Sequence, residues 1–176
     1  THFHPDHFGL AAWLADEWRV PVVMTRPEFA SAQGWHGSQG LFTRDAYFAL
    51  FQRHGLQLGD DGTLPTRQNL FRRGVPAIPD DIIAFEDGSQ LEINGRRWRV
   101  MCGYGHSPEH AAIVCDELGV LIAGDMVLPR ISTNISVQPH LPDADPLGQF
   151  LESLSRYAGL DADTLVLPSH GLPFHG

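Results

Sequence analysis

Thr1-His2-Phe3-His4-Pro5-Asp6-His7 gathers three imidazoles and a carboxylate into the opening seven residues. Side chains alternate along an extended segment, so His2 and His4 fall on the same side of the backbone. Asp6 and His7 stand at the mouth of an expected helix, Phe8 to Trp18. There Phe8, Leu10, Ala11, Leu14 and Trp18 recur at helical spacing and predict one buried face. Two groups of ligand-type residues side by side suit a pair of metal ions better than a single ion. Loops also collect polar residues without any chemistry, so this stretch has to be weighed with the rest of the chain.

Three further stretches repeat one pattern. Gly105-His106-Ser107-Pro108-Glu109-His110 follows an apolar run, Gly124-Asp125 ends the run Val120 to Ala123, and Ser169-His170-Gly171 ends the run Thr164 to Pro168. Each reads as a strand followed abruptly by a residue that can ligate a metal. Side chains so placed can converge at one rim of a sheet, which a merely polar loop does not require.

This order, HxHxDH and then His, Asp and His, resembles that of the metallo-β-lactamase-fold hydrolases, and the match runs from residue 1 to residue 171. The resemblance implies an α+β fold, the αββα four-layer sandwich. In that family the HxHxDH motif follows several strands of the first sheet, so the resemblance also implies a chain that lacks its N-terminal strands and C-terminal end. Residues 1–176 are expected to form a single, partial metallo-hydrolase domain. Carried over position by position, His2, His4 and His106 form a three-imidazole site. Asp6, His7 and His170 form a second, and Asp125 bridges them. Imidazole and carboxylate ligands without thiolate suit Zn²⁺ first, two per chain, with Fe or Mn as alternatives. The implied activity is that of a dinuclear-metal hydrolase, in which a hydroxide shared by the ions attacks an ester, thioester or lactone carbonyl. Asp6 and Asp125 are the catalytic carboxylates, with Asp6 orienting the nucleophile.

Several features narrow the reading within the family. Glutamate replaces the second motif histidine in the related flavodiiron proteins, and His4 here favours the hydrolase branch. The Zn-ligating cysteine that β-lactamases carry near the bridging position is absent, since Asp125 stands there. Glyoxalase-II-type thioesterases and the β-lactamase-like hydrolases of bacteria are therefore the leading comparison. A nuclease or phosphodiesterase, a β-lactamase and a non-catalytic metal-binding fragment are the alternatives. Many family members have glycine at the position of Glu109. Its carboxylate could orient His110, repel an anionic substrate or point into solvent. His110 itself is expected behind the ligands or against substrate. The loop after Asp125 borders the pocket in the family, which makes Arg130, Asn134 and His140 candidate substrate contacts. Ser107 and Ser169 flank ligands and are expected to support them by hydrogen bonding.

Composition sets the outer bounds. A chain of 176 residues with 43% hydrophobic content can bury a sizeable core, and its mean hydropathy is −0.15. No apolar run approaches the ~18–20 residues that span a bilayer, so no membrane partner is expected. Twelve Lys and Arg against 21 Asp and Glu give a net charge of −9. Phosphate-backbone affinity comes from clustered cations, so nucleic acid is disfavoured and a small-molecule substrate expected. Cys102 and Cys115 form no CxxC pair and lie in apolar runs, which reads as two buried thiols and a reducing, cytoplasmic setting.

Between these landmarks the chain punctuates itself. Pro21 to Met24 reads as a short strand, and Thr25-Arg26-Pro27-Glu28 as a capped helix start. Arg44 to Arg53 and Thr66 to Arg73 read as helices, so residues 26 to 81 form a helical insertion that could shape a pocket. Within it Trp35 and Phe42 could line that pocket or pack helices. Arg67, Arg72 and Arg73 could hold an acidic group or form a solvated face, and His36 and His54 read as surface or cap residues. Ile82 to Phe85, Gln90 to Ile93 and Trp98 to Cys102 read as a meander turning at Asp87-Gly88 and Asn94-Gly95. Ala111 to Cys115 and Val120 to Ala123 form the next hairpin. A helix capped by Asp145 runs to Tyr157 with Leu147, Phe150, Leu151 and Leu154 on one face, and Leu165 to Leu167 is the last expected strand.

Overall fold

The structure, a computed structural model, describes residues 1–57 and 70–176. In chain order its elements are α1 (Pro5–Phe8), α2 (Ala11–Trp18), β1 (Val23–Met24), α3 (Arg26–Gly37), α4 (Arg44–Arg53) and α5 (Leu70–Gly74). They are followed by β2 (Ile83–Ala84), β3 (Gln90–Ile93), β4 (Arg96–Gly103), β5 (His110–Cys115), β6 (Val120–Gly124), α6 (Pro146–Tyr157), β7 (Leu165–Pro168) and β8 (Phe174–His175). Of the expected helix Thr66 to Arg73, the part before Leu70, with Arg67, lies outside the described residues.

Strands β3 to β8 form one sheet in sequential order, and β1 pairs with β2 in a second, parallel pair. Within the large sheet every neighbouring pair is antiparallel except β6 and β7, which run parallel. The C-terminal ends of β4, β6 and β7 and the N-terminal end of β5 therefore share one rim. That rim receives His106, Asp125, His170 and His110.

Alternation along the strands sorts the core. Met101, Ala112, Val114, Leu121, Ala123 and Val166 pack together with Tyr157 and Phe174. Val100, Cys102 and Ala111 point the other way, toward Phe85, Leu91 and Tyr104. A third cluster, Phe3, Phe8, Met24, Ala32 and Val75, lies under the opening histidine stretch. Phe3 and Phe8 are the anchors that fix His2, His4 and His7 from below.

Four local expectations are corrected. Residues 8–18 are not one helix: the chain breaks between α1 and α2, and α2 buries no residue, with Leu10 and Trp18 each about two-thirds exposed. Gly9 lies so close to α5 that an added Cβ would stand 2.3 Å from the Gly74 carbonyl oxygen, which ties the helix break to that contact. Asp87-Gly88 is not a hairpin, because β2 leaves for the smaller sheet and pairs with β1. Asn94-Gly95 is one: both residues have positive φ, and Ile93 pairs with Arg96 across a two-residue loop. On α6 the buried residue is Ser153, while Leu147 and Leu151 are exposed. The helix is turned so that the Ser153 hydroxyl accepts the Tyr104 N–H at 2.9 Å. Finally, β8 adds a strand too short to announce itself in the sequence.

Arg156, also on α6, braces the back of the sheet. Its guanidinium contacts both Asp87 carboxylate oxygens at 2.9 Å and donates to the Cys102 carbonyl at 2.6 Å, while Asp87 accepts the Cys102 N–H at 2.8 Å. The ion pair is partly exposed, so solvent screens it and the hydrogen bonds carry most of its effect. Arg156→Met is expected to lower stability by about 1 kcal/mol without disturbing the rim, as read from urea midpoints.

Candidate metal centre

Each candidate ligand arrives where a regular element ends. His2 and His4 precede α1, Asp6 and His7 lie in its single turn, and His106 follows β4 by way of Gly105. Asp125 follows a register shift between β6 and β7, a bulge that re-aims the residue after it. His170 follows β7. The rim thus collects side chains from positions 2 to 170 of the sequence.

The gathering is close. His2, His4 and His106 offer one group of nitrogens, His2, His7 and Asp125 a second, and Asp6, His7 and His170 a third. Within each group the ligand atoms lie within 4.8 Å of one another. His2 Nε2 faces His4 Nδ1 at 3.0 Å and His106 Nε2 at 3.1 Å. The two oxygens of Asp125 divide between the groups. Oδ2 lies 3.4 Å from His106 Nε2, whereas Oδ1 lies 3.4 Å from His7 Nε2 and 3.5 Å from His170 Nε2. Asp6 Oδ2 is 3.3 Å from both His7 and His170.

Protonation shows what these atoms can do. His106 Nδ1 stands 2.8 Å from the Asn134 carbonyl, which can only accept, so the proton sits on Nδ1 and the Nε2 lone pair faces the cluster. Burial first, and then neighbouring imidazoles, push His2 far below the ordinary histidine range and His4 down to about 4. Both are therefore neutral donors at neutral pH. Burial alone would raise the Asp125 carboxyl, but His106 and His7 beside it hold it well below its usual range. His7 Nε2 and Asp125 Oδ1 are buried atoms with no aligned hydrogen-bond partner. Ring nitrogens and carboxylate oxygens converging on one space, two of them buried without hydrogen-bond partners, fit cations.

The neighbouring residues divide less simply. His110 is fully buried, and its Nε2 accepts the Asp125 backbone N–H at 3.1 Å, so a substrate contact at His110 does not fit its placement. It anchors Asp125 from behind. Glu109 turns its carboxylate to the Tyr104 hydroxyl at 3.3 Å rather than to His110. Ser107 donates to Glu28 at 2.6 Å, whereas Ser169 is tied through its backbone N–H to the Gly124 carbonyl. Arg130 and Asn134 are exposed, and Asn134 uses its carbonyl on His106. His140 is half-buried with its ring 4.5 Å from that of Phe42. His36 faces the Pro76 carbonyl and His54 caps α4, both apart from the rim cluster.

Two contributors escaped the sequence reading. Thr25 makes no capping bond on α3; its hydroxyl donates instead to the Glu109 carbonyl at 3.0 Å. Glu28 is wholly buried beneath the rim. No local pattern marks either, because their partners are some 80 residues away in sequence.

Comparison with known proteins agrees with this geometry. The metallo-beta-lactamase superfamily profile matches residues 1–170. A beta-lactamase domain protein from Burkholderia ambifaria is 46% identical with a TM-score of 0.82, over all of this chain and 50% of that one. A metallo-beta-lactamase family protein from Thermus thermophilus is 31% identical with a TM-score of 0.80, over 99% of this chain and 54% of that one. A probable metallo-hydrolase of Bacillus subtilis is 26% identical over all of this chain and 64% of its own length. The chain thus spans about half to two-thirds of these relatives. With its ligand-type residues collected on one sheet rim and its sequence matched over residues 1–170, the chain belongs to the metallo-β-lactamase superfamily.

Proposed function

We propose that this chain is the catalytic part of a dinuclear-metal hydrolase acting on an ester, thioester or lactone carbonyl. The observation that carries the proposal is the convergence of His2, His4, His106, Asp6, His7, Asp125 and His170, with His7 Nε2 and Asp125 Oδ1 buried and without hydrogen-bond partners. His2, His4 and His106 would hold one cation and Asp6, His7 and His170 the other, with one Asp125 oxygen for each. Cations bound there polarise a substrate oxygen and lower the pKa of water to about 7. Zn²⁺ fits this nitrogen and oxygen donor set first, and Fe or Mn second.

The chain's own groups supply orientation and proton handling. Asp125 is buried and fixed from behind by His110, so its two oxygens stay divided between the groups. Asp6 is the exposed carboxylate, touching His7 and His170, and can take the proton of the attacking water and return it to the leaving group. A shallow cleft opens beside His106, with Ser107, Ser136, Val137, Gln138 and His140 in its walls. None of its described lining residues carries a fixed charge, and burial lowers the His140 pKa toward the neutral form. A neutral acyl group suits such walls better than a phosphodiester does. The Trp35 ring meets Phe42 edge-on and lies tilted against Tyr47, and the Tyr47 hydroxyl donates to Gln138 at 2.6 Å. The segment between β1 and β2 thereby fixes one wall of the cleft.

The full-length protein, loaded with Zn²⁺, Fe²⁺ or Mn²⁺, is expected to turn over members of a thioester and lactone panel and to lose that activity on chelation. RNA cleavage at low salt without carbonyl turnover would favour the phosphodiesterase reading. Hydrolysis of a chromogenic cephalosporin alone would favour the β-lactamase reading.

A further inference from the structure

Glu28 sits in the first turn of α3, wholly buried. Its Oε2 accepts the Phe3 N–H at 2.9 Å. Its Oε1 accepts the Glu109 N–H at 2.7 Å and the Ser107 hydroxyl at 2.6 Å. Phe3 lies between His2 and His4, and Ser107 directly follows His106. One carboxylate therefore joins the two backbone segments that bring the three imidazoles together. Thr25, one turn earlier, ties the Glu109 carbonyl to the same helix. Backbone N–H groups can only donate, so both Glu28 oxygens are committed as acceptors. Burying a carboxylate is costly, and burial pushes the Glu28 pKa up while these hydrogen bonds oppose the rise. An apolar side chain would fill the same space at lower cost, but it would leave three donors unpaired.

We infer that Glu28 is a positioning residue: its carboxylate clamps the His2–His4 segment to the His106 loop and so sets the spacing of the three-imidazole site. The inference rests on the metal reading of that site. It acts through backbone, not through contact with ligand side chains, which is why no motif records it. Glutamine is the discriminating replacement. It keeps the volume, but its amide nitrogen must face either the Phe3 or the Glu109 N–H, donor against donor.

The test compares parent, Glu28→Gln and, as a control braced elsewhere, Arg156→Met. Chelator competition with Zn²⁺ and amide hydrogen exchange of the metal-free full-length protein are the two readouts. Glu28→Gln is expected to bind Zn²⁺ about 10–100-fold more weakly, with faster exchange at the Phe3 and Glu109 amides. Arg156→Met should keep parental affinity. Unchanged affinity and exchange in Glu28→Gln, or an equal affinity loss in Arg156→Met, would overturn the inference. If parent takes up no metal while those two amides still lose protection in Glu28→Gln, the metal reading fails and the clamp between loops survives. Should Glu28→Gln not fold, Ser107→Ala decides. Loss of one donor predicts about 5-fold weaker binding, and parental binding would overturn the clamp.

Discussion

On the proposed dinuclear reading, Asp125→Ala is expected to abolish nearly all hydrolysis, with a loss of about 10²–10³-fold or more, and to lower metal content below two ions per chain. Among the described residues, Asp125 is the one side chain whose two oxygens face different ligand groups, His106 on one side and His7 with His170 on the other. Removing it leaves His106 and His7 without their shared carboxylate and takes away the negative charge between them. Asp125→Asn keeps the shape and loses the charge, so it should retain the fold while binding metal weakly. His54→Ala is the contrast: His54 caps α4 apart from the cluster, and its replacement should change stability by less than about 0.5 kcal/mol and activity hardly at all. Metal analysis by mass spectrometry beside steady-state rates checks both. Equal losses from Asp125→Ala and His54→Ala would mean that the site lies elsewhere.

Gly124→Ala should be a strongly damaging small change at the rim. Gly124 adopts φ +56, and a Cβ there would stand 2.3 Å from His110 Nε2 and 3.1 Å from the Thr1 side chain. The left-handed backbone costs an alanine about 1 kcal/mol. The overlap adds roughly 1–3 kcal/mol, since His110 is enclosed and holds the next residue's N–H. Gly119→Ala separates the two effects. Gly119 has a similar φ of +61 but nothing within 4 Å of the added carbon, so only the backbone cost applies. Urea denaturation of the metal-free proteins should place Gly124→Ala about 2–4 kcal/mol below parent and Gly119→Ala about 1 kcal/mol below. If the two cost the same, His110 is not packed as described. Gly124→Ala should also weaken metal binding, because moving His110 releases the Asp125 backbone.

The division between what was legible and what was not follows the range of the interactions. Alternation and strand-end placement are local, so the opening histidines, His106, Asp125 and His170 could be picked out as one set from their positions alone. Asn94-Gly95 was readable for the same reason: a two-residue loop with both φ angles positive needs such residues wherever it occurs. Asp87-Gly88 carries an equally local signal, yet its strand pairs with β1, some 60 residues earlier, and dipeptide chemistry is silent about that choice. The apolar stripes on residues 8–18 and on α6 were visible, but which side is buried depended on neighbours. Ser153 turns inward because Tyr104 needs an acceptor, and Leu147 and Leu151 turn outward in consequence.

By itself the sequence carried the motif order that resembles the family, and it determined the identity and chain order of the residues now found on one rim, because ligand chemistry and strand period are properties of residues and their near neighbours. Tertiary structure alone decided how those residues are held: Glu28 spanning two loops, His110 fixing Asp125, and the division of the Asp125 oxygens between two groups. These are contacts between segments distant in the chain. Such contacts form only once loop-closure entropy has been offset by a packed core, and no short stretch of sequence encodes them.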